Sequence, residues 1–375
     1  MNILHITTYM QGGAGRVIRD LVFKQKENGH NVTVIMNGKN EVGYENYKEY
    51  INDLRENKID FYFVDSTFKR DIYLNIDAST IVNNVLKQKN IDIIHSHATT
   101  PSMIAMIAKS NIDKKIPIIQ TMHGWGTNKN DKHEKMDVSI LNLVDKVVTV
   151  SNTDKELLIS KGVIKSKIDV IYNGIGDIED INNIDKNIEL QLRELKNEGY
   201  TIIGCIGSIC KRKNQLAILE ALKNIKDANV RVIFIGEGES IEELKVKAIE
   251  YKISHMIKFY GYVSKGYLYI NNFDYTILPS LSEGLPLSVL ESFRAGKPVI
   301  VSDIDVFKEM IEDKKNGFIF NLNDKDSLAS KINDAVKIKD TEQYILMSRK
   351  CYKEFQGKYR LDSCYNKYLN LYKRI

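Results

Sequence analysis

Glu283 and Glu291 stand eight positions apart in the segment Leu281-Ser282-Glu283-Gly284-Leu285-Pro286-Leu287-Ser288-Val289-Leu290-Glu291. The apolar run Tyr275 to Leu278 before them reads as a strand, so the segment reads as strand, tight loop and helix start. Proline is tolerated in a first helical turn, where its missing N–H breaks no bond. The unpaired N–H groups of such a turn, with the helix dipole, favour an anionic ligand. Were the segment fully helical, eight residues would rise about 12 Å, roughly the span from a sugar past a diphosphate to a ribose. The pattern therefore suits the holding of a nucleotide-diphosphate sugar. One glutamate complementing the dipole and another solvated on the helix would give the same two residues, so the spacing alone leaves both readings open.

The longer string Pro279-Ser280-x-x-Glu283-Gly284-x-Pro286-x-x-x-x-Glu291, continued by Ala295-Gly296-Lys297-Pro298-Val299-Ile300, resembles the E-x7-E signature of the retaining glycosyltransferases of family 4, also called group 1. Recognisable pieces run from Gly12 to Gly317. The loop Gln11-Gly12-Gly13-Ala14-Gly15-Arg16 lacks the third glycine of a dinucleotide fingerprint and the Gly-Lys-Ser/Thr of a P-loop. It is similar to the family's Gly-Gly-Ala-x-Arg loop, which borders the donor site. Gly207-Ser208-Ile209-Cys210-Lys211-Arg212-Lys213-Asn214 follows a strand and carries three consecutive cations, a group suited to a diphosphate. A solvated basic turn is the other reading. Lys213 matches the family's lysine, but the family's arginine falls on Ser208, and Arg212 or Lys211 is expected to supply the missing charge.

Thr121-Met122-His123-Gly124-Trp125-Gly126 resembles the family's Thr-x-His-Gly/Asp segment, in which the histidine lies near the donor sugar and reaction centre. His95 and His97 resemble an Asp-x-x-His-x-His run; lining a cleft and packing behind it are both open. Gly236-Glu237-Gly238 and Gly261-Tyr262-Val263 resemble loops around the nucleotide, and Tyr262 is placed to border the base. The loop Trp125 to Lys135, with Lys129, Lys132 and Lys135, could meet an anionic headgroup or a lipid diphosphate, or could simply be solvated. Asp303-Ile304-Asp305 has the form of a divalent-cation pair, but such pairs arise readily among 49 acidic residues, and no metal or other cofactor is expected.

The surrounding elements fit this reading. A chain of 375 residues, 43% apolar and 27% charged, accommodates two globular domains. A net charge of +5 suits phosphate-bearing ligands or an anionic membrane surface and is too small to argue for nucleic acid. Four cysteines without zinc spacing are expected to be reduced thiols in a cytoplasmic protein. Met1-Asn2-Ile3-Leu4-His5-Ile6 reads as a strand rather than a signal peptide, and no apolar run is long enough to span a bilayer. Strands are expected at Ile3 to Thr7, Asn31 to Met36, Phe61 to Val64, Ile91 to His95, Ile116 to Thr121, Val147 to Val150 and Ile168 to Ile171. A second series is expected at Ile202 to Ile206, Val230 to Ile235, Ile257 to Tyr260, Tyr275 to Leu278 and Val299 to Val301. Helical patterns between them, such as Ile81 to Lys89 and Ile241 to Glu250, predict α/β architecture with parallel sheets covered on both faces. The turn-rich stretch from Asn173 to Asp185 predicts an interdomain linker.

The resemblance implies a GT-B fold, two Rossmann-like domains facing across a cleft. Residues 1–175, joined by a C-terminal helix 358–375, would take the acceptor, and 176–357 would bind the nucleotide sugar. Glu283, His123, Lys213 and Arg212 are the expected catalytic residues. Gly13, Ser208, Tyr262, Gly284, Leu285, Leu287 and Glu291, with Lys213, Arg212 and Glu283, would line the donor site. Gly12, His97 and Trp125 would lie on the acceptor side. The implied reaction is metal-independent, retaining transfer of a sugar, expected to be UDP-linked, to a glycan or lipid-linked acceptor in polysaccharide synthesis, with peripheral membrane contact. A sugar-nucleotide epimerase of the same fold and a non-catalytic sugar-nucleotide-binding accessory subunit are the alternatives.

Overall fold

The computed structural model describes residues 1–126, 129–177, 184–225 and 229–375. The chain forms two compact units, Met1–Ile175 with Leu361–Ile375, and Gly176–Arg360. Of the expected linker, residues 178–183 lie outside the described residues.

In the first unit, β1 (Asn2–Ile6), β2 (Asn31–Asn37), β3 (Asp60–Val64), β4 (Ile93–Ser96), β5 (Ile118–Met122), β6 (Lys146–Thr149) and β7 (Ile168–Val170) form one parallel sheet of order β3-β2-β1-β4-β5-β6-β7. In the second, β8 (Thr201–Ile206), β9 (Val230–Ile235), β10 (Ile257–Phe259), β11 (Tyr275–Leu278), β12 (Val299–Ser302) and β13 (Gly317–Phe320) form a parallel sheet of order β10-β9-β8-β11-β12-β13. The central strands are near-continuous apolar runs, as in Ile3-Leu4 of β1 and Val232-Ile233-Phe234-Ile235 of β9, because helices cover both faces of a parallel sheet. Strand order reverses between β1 and β4 and again between β8 and β11. Loops at the carboxyl ends of strands flanking such a reversal part to opposite faces and leave a crevice where ligands bind.

Three elements differ from the sequence expectation. The helix Ile72–Lys89 begins nine residues before the expected Ile81. Asp71 caps it through the backbone N–H groups of Tyr73 and Leu74, but Ile72, Tyr73 and Ile76 are exposed, so this turn carries no core-facing periodicity to read. Strand β13 was not expected. It is four residues long and opens with Gly317, where a Cβ would lie 2.5 Å from the carbonyl of Val299, so its first position has no side chain to contribute to a pattern. The return to the first unit begins at Leu361 rather than 358, because the helix Glu342–Lys358 continues through Lys358.

The returning helix Leu361–Arg374 buries Cys364, Tyr365, Tyr368, Leu371 and Tyr372 against Ile3, Leu21, Ile93, Ile119, Val148 and Ile171 of the first unit. Leu361 N–H donates to the carbonyl of Ile175 at 3.0 Å, and Lys24 pairs with Asp362 at 2.7 Å. Cys205, Cys351 and Cys364 are buried free thiols. Among the described residues no helix is long and apolar enough to cross a membrane.

Candidate functional site

The loops after β8 and β11 meet at the strand reversal of the second unit. Leu281 N–H donates to the carbonyl of Arg212 at 2.9 Å, and Asn214 Nδ2 to that of Pro279 at 3.1 Å. This stitching brings the short 3-10 turn Lys211–Lys213 against Glu283. Lys213 Nζ lies 2.6 Å from Glu283 Oε1, and Arg212 Nη1 lies 3.1 Å from Oε2 and 2.6 Å from the carbonyl of Ser282. The Glu283 side chain is only 8% exposed. Burial by itself would raise its pKa, but Lys213 and then Arg212 outweigh burial and hold the carboxyl below its usual range. Groups expected to serve a sugar and a diphosphate separately thus form one ion-paired cluster. Of the two cations that could replace the family arginine, Arg212 joins this cluster and Lys211 is exposed. Ser208 is exposed too, its carbonyl accepting from Gln215 Nε2 at 2.8 Å.

Glu283 precedes the helix Leu287–Arg294, so the segment between the two glutamates is part loop and the helical rise of about 12 Å over eight residues does not apply. Pro286, with ψ 125°, is the residue before the helix rather than a member of its first turn, and the helix start has no side-chain cap. Gly284 and Leu285 form the approach, with Leu285 buried. Glu291 is 5% exposed on the helix, which is tied to β11 by the 2.7 Å contact of Ser292 Oγ with Thr276 Oγ1.

The loop after β9 packs on the loop after β8 with no room for side chains. A Cβ on Gly236 would lie 1.9 Å from Gly207 O, one on Gly238 2.2 Å from Ile209 O, and both glycines have positive φ, 148° and 156°. Beside them a cavity of about 440 Å³ is lined by Glu237, Gly238, Ile241, Phe259, Tyr260 and Gly261. Tyr262, the expected base contact, is 56% exposed and is not among its lining residues.

In the first unit, Gly12 (φ 55°) opens the helix Gly12–Glu27, and Gly13 is exposed in its first turn. The Gln11 side chain accepts from Glu45 N–H at 2.6 Å and donates to the carbonyl of Gly43 at 3.2 Å. Two residues expected on the acceptor side, His97 and Trp125, have partners within the first unit. His97 is 7% exposed and bridges two other histidines. Trp125 donates its indole N–H to Glu134 at 3.1 Å, and Lys129 Nζ sits 3.5 Å from its ring centroid. Lys129 is in turn held at 2.8 Å by the buried Asp137, so Trp125 and Lys129 are tied into their own loop. Residues 127 and 128 of that loop lie outside the described residues. Of the Asp303/Asp305 pair, Asp303 accepts from Leu322 N–H at 3.1 Å, and Asp305 starts the helix Asp305–Met310 beside Lys308 at 3.6 Å.

A buried polar network, unforeseen in extent, underlies His123. His5 Nε2 lies 2.8 Å from Gln25 Oε1, His5 Nδ1 2.9 Å from His97 Nε2, and His97 Nδ1 3.1 Å from His123 Nε2. Gln25 Nε2 donates to Tyr372 OH at 3.2 Å, which lies 2.7 Å from His95 Nδ1; His95 Nε2 lies 2.7 Å from Thr121 Oγ1, itself 3.0 Å from Tyr368 OH. Ring nitrogens of His5, His95 and His97 lie within 4.8 Å of one another, as metal ligands would, but the contacts just given occupy each nitrogen of the three rings. The sequence carried one signal for this cluster. His5 and His95 are register partners on β1 and β4, which the strand order makes neighbours.

Burial lowers the pKa of His5 and of His123 to about 4, and lowers His95 and His97 well below the ordinary value with further help from neighbouring rings. Below the unfolded pKa of about 6.5 the unfolded chain binds protons that the folded rings refuse, so stability must fall as pH falls through that window. Melting temperature is expected to drop steadily between about pH 6.5 and about pH 5, above the range where most carboxylates titrate. A level melting temperature across that interval would show that the folded rings take up protons freely.

Each unit is a parallel α/β sheet with one reversal of strand order, and at the reversal of the second a buried acid is held by two cations. Residues 11–177 match the profile described as Glycosyltransferase Family 4, and residues 187–350 that described as Glycosyl transferases group 1. The chain belongs to the group 1, family 4 glycosyltransferases. The Escherichia coli UDP-Gal:alpha-D-GlcNAc-diphosphoundecaprenol alpha-1,3-galactosyltransferase is 25% identical over 340 residues, which is 86% of each chain. Among solved structures, a Rickettsia africae glycosyltransferase superimposes with TM-score 0.84 at 22% identity, over 100% of this chain and 98% of that one. Anabaena Alr3699/HepE in complex with UDP also gives 0.84, at 16% identity over the whole of both chains. These likenesses establish the GT-B fold.

Proposed function

We propose that this glycosyltransferase is a retaining, metal-independent hexosyltransferase that moves a sugar from a UDP-sugar to a hydroxyl of a glycan or lipid-linked saccharide during cell-surface polysaccharide synthesis. The observation that carries the reading is the Glu283–Lys213–Arg212 cluster at the strand reversal of the second unit. On donor binding the two cations turn to the diphosphate, joined by the N–H groups of Gly284 and Leu287, and stabilise the charge that develops as the sugar–phosphate bond breaks. Glu283, released from its cations, accepts hydrogen bonds from sugar hydroxyls, and Glu291 from the ribose. The cavity beside Gly238 and Tyr260 takes the base. The acceptor hydroxyl attacks from the face the diphosphate leaves and gives its proton to the departing phosphate oxygen, so the anomeric configuration is kept; His123 is the proposed polar contact of the reacting sugar.

The donor reading is supported by the UDP in the name of the Escherichia coli relative and in the Anabaena complex. The acceptor reading is supported by the diphosphoundecaprenol in that relative's name, and by the Staphylococcus aureus capsular polysaccharide glycosyltransferase CapH, 29% identical over 231 residues. A lipid-linked acceptor implies work at the inner membrane face through peripheral contact.

The test is incubation with single UDP-sugars and lipid-diphosphate saccharides, with mass spectrometry of products and NMR of the new anomeric centre. An α-linked product from an α-linked donor, formed equally well in EDTA, is expected. An inverted linkage or a metal requirement would overturn the mechanism. Donor conversion without acceptor would identify an epimerase, and donor binding without turnover an accessory subunit.

A further inference from the structure

We propose that Gln25, seated at the junction between the helix Gly12–Glu27 and the returning C-terminal helix, sets the tautomer of His123 through a three-histidine relay, leaving His123 Nδ1 as a bare hydrogen-bond acceptor.

The argument follows from counting protons. A neutral imidazole has one N–H and one lone pair, so a bond made at one nitrogen dictates what the other can do. The amide oxygen of Gln25 can only accept, and it faces His5 Nε2 at 2.8 Å, so that nitrogen carries the proton. His5 Nδ1 is then bare and must accept from His97 Nε2–H at 2.9 Å. His97 Nδ1 is bare in turn and accepts from His123 Nε2–H at 3.1 Å. The relay ends at His123 Nδ1, a buried atom with no hydrogen-bond partner among the described residues.

The other end of the chain accommodates the same sense of the amide. Gln25 Nε2 donates to Tyr372 OH; with that hydroxyl donating to His95 Nδ1, the proton of His95 sits on Nε2 and faces Thr121 Oγ1. In this sense all four histidines carry the proton on Nε2, the tautomer that free histidine side chains prefer. Gln25 is fully buried, as are His5 and His95, so solvent cannot substitute for a missing link. The low pKa values of the rings keep them neutral near pH 7, which the counting requires. Turning the amide over would reverse every bond and place an N–H at the open end.

Gln25 and Tyr372 are therefore positioning residues, acting on ligand only through His123. The ligand chemistry that suits a bare Nδ1 is a hydroxyl, from sugar or acceptor; this part rests on the transferase reading, whereas the tautomer does not.

Nitrogen NMR of the protein labelled with ¹⁵N-histidine reads the relay directly, because bare and protonated ring nitrogens resonate far apart. His123 in the wild type is expected to show a bare Nδ1 and a protonated Nε2. In Gln25→Met, matched in volume but unable to bond, the tautomer preference of His5, His97 and His123 should loosen together, with the signals of His133 and His255, which lie outside the relay, unmoved. Tyr372→Phe, which keeps the ring packing, should shift His95 and free the amide. Turnover should fall in both variants with donor KM unchanged. A protonated Nδ1 on His123 in the wild type overturns the assignment without need of any variant, and unchanged His97 and His123 signals in a folded Gln25→Met protein overturn the relay. Absent transferase activity with the expected nitrogen pattern would refute the function and leave the relay standing.

Discussion

Replacing Lys213 with methionine is expected to lower turnover about 100- to 1,000-fold, the loss typical of removing one preorganised group from developing negative charge. Its ammonium lies 2.6 Å from Glu283 and the side chain is 18% exposed, against 44% for Arg212. A cation held away from water acts in a lower effective dielectric, so Lys213 should matter more than Arg212. The same substitution strips a buried carboxylate of its nearer partner, a change that destabilises by up to about 3–5 kcal/mol when no other partner remains. Arg212, still 3.1 Å away, should soften that loss. The double variant Lys213→Met/Glu283→Gln separates the two effects: it removes the stranded charge and should recover melting temperature, yet not turnover. Single-variant kinetics close to wild type in a folded protein would remove Lys213 from the diphosphate role.

Ending the chain at Arg360 is expected to abolish folding of the first unit. The lost helix buries Tyr365, Tyr368, Leu371 and Tyr372 against strands that belong to residues far earlier in the chain. At about 1.5–3 kcal/mol for each fully buried large side chain, the loss rivals the roughly 5–15 kcal/mol that holds a whole domain together. It also leaves Gln25, His95 and Thr121 without the hydroxyls of Tyr372 and Tyr368 that they now meet. Insoluble expression, or soluble protein without a cooperative melt of the first unit, is the anticipated result. A truncated chain with the parent's melting profile would show that the helix is dispensable to the core.

Much of the scaffold was legible in the sequence because strand signals are local. Ile3 to Thr7 and Val230 to Ile235 are short runs of β-branched and apolar residues bounded by turn residues, and a buried parallel strand needs no more than that. Elements failed where the local signal was weak: β13 opens on a glycine, and the first turns of Ile72–Lys89 face outward with apolar side chains. The cluster at Glu283 was half legible. Its acid and its cations were each singled out, but their pairing joins positions 70 residues apart and depends on β8 and β11 being neighbours. The partners of Trp125 and His97 were not legible for a related reason. A loop residue's partners, here Glu134 and Lys129 for one and His5 and His123 for the other, are set by which helix or strand packs beneath it.

The sequence by itself determined the alternation of strand and helix, the two-unit division and the glycine- and proline-marked loops, because backbone preference and hydrophobic period act over a few residues. Only the tertiary structure decided which charged and polar groups meet. Tyr372 reaches His95 across 277 positions, and no local preference encodes that contact. It arises because a strand reversal and a returning helix bring together side chains that, once buried, must find hydrogen-bond partners in one another.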